Sequence, residues 1–210
     1  VRGKKYWDDN DNQDGKRPES ITVRLYANNE ELKDKAQEVV EGDDGEWTWE
    51  FTDLPKYADG KAINYTISED AIEGYSTEIR GYDIKNSYTP EATSISVRKI
   101  WKDREDQDGK RPESVTVLLL ANGEETGQAL ILTSENDWFG TFTDLPTHHD
   151  GEEIKYSVSE VPVGNGYTSK VTQDETTGEY KITNSYTPEV TQVRGKKYWD
   201  DNDNQDGKRP

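Results

Sequence analysis

The same eighteen residues open and close this sequence: Val1 to Pro18 reads VRGKKYWDDNDNQDGKRP, and Val193 to Pro210 repeats it unchanged. A looser copy, IWKDREDQDGKRPESVTV, lies between them and sets Trp101 beneath Trp7 and Asp108-Gly109 beneath Asp14-Gly15. Repetition at such a period means copies of one structural unit in series, not one large domain. The string SYTPE, at Ser87–Glu91 and again at Ser185–Glu189, closes each copy. The expected division is therefore 1–92, 93–190 and 191–210, the last being the first strand and loop of a third unit. Each full unit has the size of one small domain.

The offset between copies locates the loops. It is 94 residues at the first tryptophan, 91 at Asp53-Leu54-Pro55 against Asp144-Leu145-Pro146, and 98 at Asn86 against Asn184. Length changes have accumulated between the matching strings and not within them. Those strings alternate: Ile21, Val23 and Leu25 on one face with Thr22 and Arg24 on the other; Trp47, Trp49 and Phe51 against Thr48 and Glu50. A period of two, with Gly, Asn and Asp at the breaks, means strands. Glu30 to Glu41 has the composition of a short helix, but its counterpart around Gln128 to Thr133 is β-like, so the expectation is strand with a charged loop. About seven short strands per unit point to an all-β fold of tandem two-sheet sandwiches.

Composition narrows the function classes. With 44 acidic against 26 basic residues the net charge is −18, a field that repels nucleic acid and anionic membrane surfaces. There is no cysteine, hence no disulfide, zinc-thiolate site or thiol nucleophile. No apolar run is long enough for a spanning helix, and a secretion signal would have to lie outside this sequence. Only 30% of residues are hydrophobic, yet 6 Trp, 12 Tyr and 3 Phe are too many for a solvated coil. The chain must fold around a lean core.

Alternation also turns three polar residues inward in each unit. Lys5 shares a face with Gly3 and Trp7, and Lys99 with Val97 and Trp101. Glu69 follows Tyr65 and Ile67 in phase, as Glu160 follows Tyr156 and Val158. Asn86 falls between Ile84 and Tyr88, and Asn184 between Ile182 and Tyr186. One reading is a buried Lys-Glu ion pair bridged by Asn, with the lysine stems reaching toward solvent. The other is chemical. Burial disfavours charge, so the lysine tends toward a neutral, nucleophilic amine and the glutamate toward a neutral acid able to polarise the asparagine carbonyl and pass protons to departing ammonia. The product is a Lys-Asn isopeptide bond, made once and without an external enzyme.

The strings KYWDDNDNQDGKRP, WTWEFTDLPKYADGK, NYTISED and IKNSYTPE closely resemble the Cna B-type domain, the B-region repeat of staphylococcal collagen adhesin and related Gram-positive surface proteins and pilins. The resemblance covers essentially the whole chain. It implies an inverse immunoglobulin-like or prealbumin-like β-sandwich. It also implies isopeptide crosslinks from Lys5 to Asn86, assisted by Glu69, and from Lys99 to Asn184, assisted by Glu160. Lys4 is out of phase and corresponds to Arg98 in the second unit, which makes it the weaker nucleophile. Lys197 repeats Lys5 with no following Asn and is expected to stay a free amine. The implied role is a cell-wall-anchored, extracellular stalk that touches adjacent repeats and projects a separate adhesive domain toward host matrix. The alternatives are repeats that bind a host matrix protein or glycan themselves, or a pilin subunit.

Remaining signals are weaker. Asp8, Asn10 and Asp14 are the calcium candidates: Asn10, Asn12 and Asp14-Gly15 echo the start of a calcium loop, but Ile21 stands where its bidentate Glu belongs and Arg104 replaces the first ligand in the second unit, so a solvated turn is expected. His148 and His149, the only histidines, fall in a loop with no third ligand in view. Trp47, Trp49, Trp138 and Phe139 read as core filling, and Gly140 stands at the position of Trp49. No nucleophile-base order or phosphate loop is present. The expectation is a protein without cofactor or external catalytic activity.

Overall fold

Strand-forming segments recur in the same order in both halves of the chain. A computed structural model describes residues 1–210. The first half runs β1 (Arg2–Asp8), β2 (Ser20–Ala27), β3 (Glu30–Glu31), β4 (Gln37–Val40), β5 (Trp47–Glu50), β6 (Tyr57–Ala58), β7 (Lys61–Ala62), β8 (Tyr65–Glu69), β9 (Ser76–Arg80) and β10 (Asp83–Ser87). The second runs β11 (Ala92–Lys102), β12 (Ser114–Ala121), β13 (Glu124–Thr133), β14 (Phe139–Pro146), β15 (His148–His149), β16 (Glu152–Glu153), β17 (Tyr156–Glu160), β18 (Thr168–Gln173) and β19 (Tyr180–Ser185). Helical structure is limited to three single 3-10 turns, and no helix is long and apolar enough to cross a membrane.

Each half is a two-sheet sandwich. One sheet has the order β5-β1-β10-β9 in the first half and β14-β11-β19-β18 in the second. The facing sheet places β2 between β8 and the edge segments β3 and β4; its counterpart is β13-β12-β17. The edge at Glu30 to Glu41 is strand interrupted by a 3-10 turn at Lys33–Lys35, so the charged insertion loops out and pairing resumes at Gln37. In both halves the first and last strands are parallel neighbours, β1 with β10 and β11 with β19.

Two separate apolar clusters fill the sandwiches. One is built from Ile21, Val23, Leu25, Trp47, Trp49 and neighbours, the other from Val97, Val117, Leu119, Leu132, Ile182 and neighbours. Only 28 of 210 residues are buried, so polar groups inside these thin cores carry unusual weight. Gly3 lies opposite Trp49, and a Cβ there would sit 2.7 Å from the indole and 1.7 Å from the Tyr82 carbonyl oxygen. In the second half Val97 lies opposite Gly140.

The sequence predicts a strand at the start of the third unit, and the structure has none there. Residues 186–200 form no strand. A first strand in this fold is held between two neighbours, and no counterpart of β5 or β10 follows Val193 in this sequence. The loop after it needs no partner strand and folds regardless: Arg209 Nε bonds Asp201 Oδ2 at 3.0 Å, and Arg209 N bonds Asn204 Oδ1 at 2.7 Å.

Candidate functional site

Strand register brings the three inward polar residues together. In β1 the buried positions are Gly3 and Lys5, and in β10 they are Ile84 and Asn86. Lys5 stands opposite Ile84 and Trp7 opposite Asn86, so the lysine and asparagine point into the sandwich from adjacent parallel strands, two residues out of register. Glu69 ends β8 on the facing sheet and closes the site from the other side. Its Oε1 accepts from Lys5 Nζ, and both side chains are completely removed from solvent. In the second unit Lys99 Nζ lies 3.1 Å from Glu160 Oε1, and Asn184 Nδ2 donates to the same oxygen at 3.2 Å. One carboxylate oxygen thus holds both prospective reactants. Lys99 Nζ also donates to the Ile182 carbonyl at 3.5 Å.

An aromatic floor supports each amine. Lys5 Nζ lies 4.5 Å from the Trp7 ring centre and Lys99 Nζ 4.4 Å from that of Trp101. Trp7 is wedged edge-on between Trp47 and Tyr75, and Trp101 between Trp138 and Tyr167. Removal from water pushes the Lys5 ammonium below the ordinary lysine value, although its bond to Glu69 pulls the other way. The same desolvation, opposed by Glu160, brings Lys99 down to about 8. Lys4 faces solvent, bonds Glu46 at 2.6 Å and is raised by that bond, which leaves Lys5 as the buried amine.

Buried polar atoms without partners mark the acceptor. Both amide atoms of Asn86, Oδ1 of Asn184 and Oε2 of Glu160 make no hydrogen bond. A buried orphan of this kind carries a penalty of about 1–3 kcal/mol and calls for an explanation such as a catalytic role. An amine shifted toward its neutral form, a carboxylate bonded to it and a carboxamide whose oxygen has no partner have the composition of an amide-forming site.

The acidic loop has a different architecture from a calcium site. Asp8 pairs with Lys85 at 2.7 Å, Asn10 is exposed, and Asp14 accepts from Tyr88 Oη at 2.9 Å and Glu91 N at 2.8 Å, so the three side chains serve separate partners. No group of three His, Cys, Asp or Glu residues is arranged to hold a metal ion. The loop is organised instead by Asp9, 2% exposed, which takes the Arg17 guanidinium on both oxygens, the Asn12 amide and the Tyr75 hydroxyl. Asp103 repeats this with Arg111 and Tyr167, and the Arg111 bonds hold its carboxyl down at about 2. Sequence reasoning passed over this pair. The signal was available as an Asp eight residues before an Arg-Pro, three times in the chain. His148 and His149 form the short strand β15, where His148 Nδ1 meets Thr147 Oγ1 at 2.9 Å.

Comparison with known proteins identifies the relatives of this chain. The family described as Cna protein B-type domain matches residues 1–87 and 95–185. A collagen adhesin of Staphylococcus aureus is 47% identical over 212 residues, which cover 100% of this chain and 17% of that protein. The crystal structure of two B repeat units of the S. aureus collagen binding protein is 46% identical with a TM-score of 0.54, covering 100% of this chain and 55% of that one. The chain therefore spans only part of the length of these relatives.

Proposed function

Because the chain belongs to the Cna protein B-type domain family, we propose that it is a length of extracellular stalk from a Gram-positive surface adhesin, each unit locked by an amide bond between its first and last strands. The observation that carries the chemistry is the buried Lys-Glu-Asn cluster, built twice, in which the asparagine Oδ1 has no partner. The neutral Nζ of Lys99 attacks Cγ of Asn184. Glu160 takes the proton released by the amine and delivers it to the departing amide nitrogen. The new C–N bond forms as the old one breaks, and ammonia leaves. Lys5, Glu69 and Asn86 repeat the step in the first unit. Each unit reacts once and on itself, so the protein is not an enzyme toward external substrates.

The topology gives such a bond a mechanical use. Tension enters a unit through β1 and leaves through its parallel neighbour β10. A covalent link between Lys5 and Asn86 carries that load directly and bypasses the chain between them. The 17% coverage of the collagen adhesin leaves ample length for a separate adhesive domain, to which we assign the host contact.

Intact mass of the purified chain tests the reading. The mass should fall short of the sequence value by two ammonias, and Glu69→Ala or Glu160→Ala should each restore one. An unmodified mass refutes crosslinking, and a glutamate variant that still crosslinks shows that another acid assists.

A further inference from the structure

The junction between the two units is built from parts that are present again, unused, at the two ends of the pair. At the junction Gly151 N donates to Gln13 O at 3.0 Å, joining the β15–β16 turn to the acidic loop of the first unit. The backbones touch there. A Cβ on Gly15 would lie 2.7 Å from Gly151 Cα, and one on Gly151 would lie 3.2 Å from Gly15 Cα, so side chains at either place would force the units apart. The connecting segment is gripped from both sides. Asp14 accepts from Glu91 N, and the Glu91 carbonyl accepts from Thr147 N at 3.1 Å and Thr147 Oγ1 at 3.2 Å.

The acidic-loop half of this junction, which accepts the Gly151 N–H, recurs at the end of the second unit. Asp108 accepts from Tyr186 Oη at 3.0 Å and Glu189 N at 2.8 Å, as Asp14 does from Tyr88 and Glu91. Gly109 has φ +63° where Gly15 has +66°, and the space around it is open. The hairpin half, which donates that N–H, recurs on the first unit in the β6–β7 turn. Asp59 and Gly60 have φ 48° and 74°, against 51° and 76° at Asp150 and Gly151, and Gly60 is likewise open. Lys56, at the position of Thr147, keeps the backbone N–H and lacks only the hydroxyl. The connecting strings Tyr88-TPEATS-Ile95 and Tyr186-TPEVTQ-Val193 have equal length, and Val193 begins a copy of residues 1–18.

We propose that the loop around Gly109 is a docking surface for the Tyr57–Ala62 hairpin of a following unit of the first type, so that one junction recurs along the array. Gln107 supplies the carbonyl that Gln13 supplies here, and the Gly60 amide of the incoming unit takes the place of Gly151. The docked array is a rod with a constant step between units, and this holds whether or not the amide bonds form.

The test uses residues 1–192 followed in the same chain by a second copy of 1–192, with amide hydrogen exchange followed by NMR. Gly60 of the first copy has no unit ahead of it, whereas Gly60 of the second copy follows Gly109. The second-copy amide should exchange roughly tenfold or more slowly than the first-copy amide, as Gly151 should in both copies. Gly60→Ala, made in one copy at a time, adds the same backbone strain in either place. Only the second-copy substitution should leave the junction amides unprotected. Equal exchange of the two Gly60 amides beside a protected Gly151 would overturn the recurring junction, and an unprotected Gly151 would overturn the docking contact itself.

Discussion

In the first unit the cross-strand pair beside the lysine is Gly3 with Trp49; in the second it is Val97 with Gly140. The indole in one unit occupies space that Val97, Leu130 and Leu132 help to fill in the other, where a Cβ on Gly140 would already press on both leucines at 3.0–3.1 Å. Core residues next to the site are thus exchanged freely provided volume is kept. Lys, Glu and Asn are not exchanged. The contrast separates positions that answer to packing from positions that answer to chemistry, because no swap of volume substitutes for an amine facing a carboxamide. Within the polar cluster the units differ again: Thr77 donates to Glu69 Oε2 at 3.2 Å, whereas Glu160 Oε2 has no partner.

The largest effect should come from leaving one unit open. Asn86→Ala or Asn184→Ala removes the acceptor and with it a covalent loop of more than eighty residues. On the chain-entropy estimate for crosslinks this is worth about 4–5 kcal/mol. Denaturant unfolding of the single variants should split into two transitions, the altered unit melting first and the other keeping its midpoint. Two unchanged transitions would mean that no covalent loop was there to lose. Next in size, Trp49→Ala should destabilise the first unit alone by about 3–5 kcal/mol, the usual cost of emptying a buried indole site. Near-neutrality would show that the sheet closes over the gap and that packing beside the lysine is looser than the Gly3–Trp49 fit implies.

The legibility of these features follows the range of the interactions behind them. Inward Lys5, Glu69 and Asn86 were readable because side-chain direction in a strand is a local property with a period of two. Asp9 was not, because its burial depends on Tyr75, 66 residues away, and on a loop that returns Arg17 to it. The expected strand after Val193 failed for a related reason: alternation describes a strand's faces, but its existence depends on neighbours to pair with. The two-residue Glu30–Glu31 segment and the turn after it show the intermediate case, in which an insertion of charged residues breaks an edge strand without changing its place in the sheet.

The second unit also gives a pH signature. Burial brings Lys99 to about 8, so the neutral amine should increase tenfold per pH unit up to that value and level off above it. Closure of the Lys99–Asn184 bond in freshly synthesised chain, quenched in acid and read by peptide mass, should therefore speed up about fiftyfold from pH 6 to pH 8, or about 2.3 kcal/mol. A rate that keeps climbing toward pH 10 would show an exposed, ordinary lysine. In Asn184→Ala the amine remains free, and the sign for stability follows from linkage. Between about 8 and the ordinary lysine value the unfolded chain holds the proton and the folded unit does not, so the second unit should gain stability as pH rises through that window and show no such gain below it.

The smallest effect tests the difference between the two glutamates. The Thr77 hydroxyl stands on β9 opposite Asn86 and fixes Oε2 of Glu69, which leaves Oε1 aimed at Lys5. Ser169 occupies the same place opposite Asn184, and Glu160 Oε2 goes without a bond. Thr77→Val keeps the shape and removes the donor, an interaction of about 1 kcal/mol. Closure of the first unit should slow a few-fold, with the second unit as an internal reference in the same molecule, and the stability of the finished, crosslinked unit should change less than the rate. Ser169→Thr should move the second unit in the opposite direction. If Thr77→Val leaves the ratio of the two closure rates unchanged, the hydroxyl has no part in positioning Glu69.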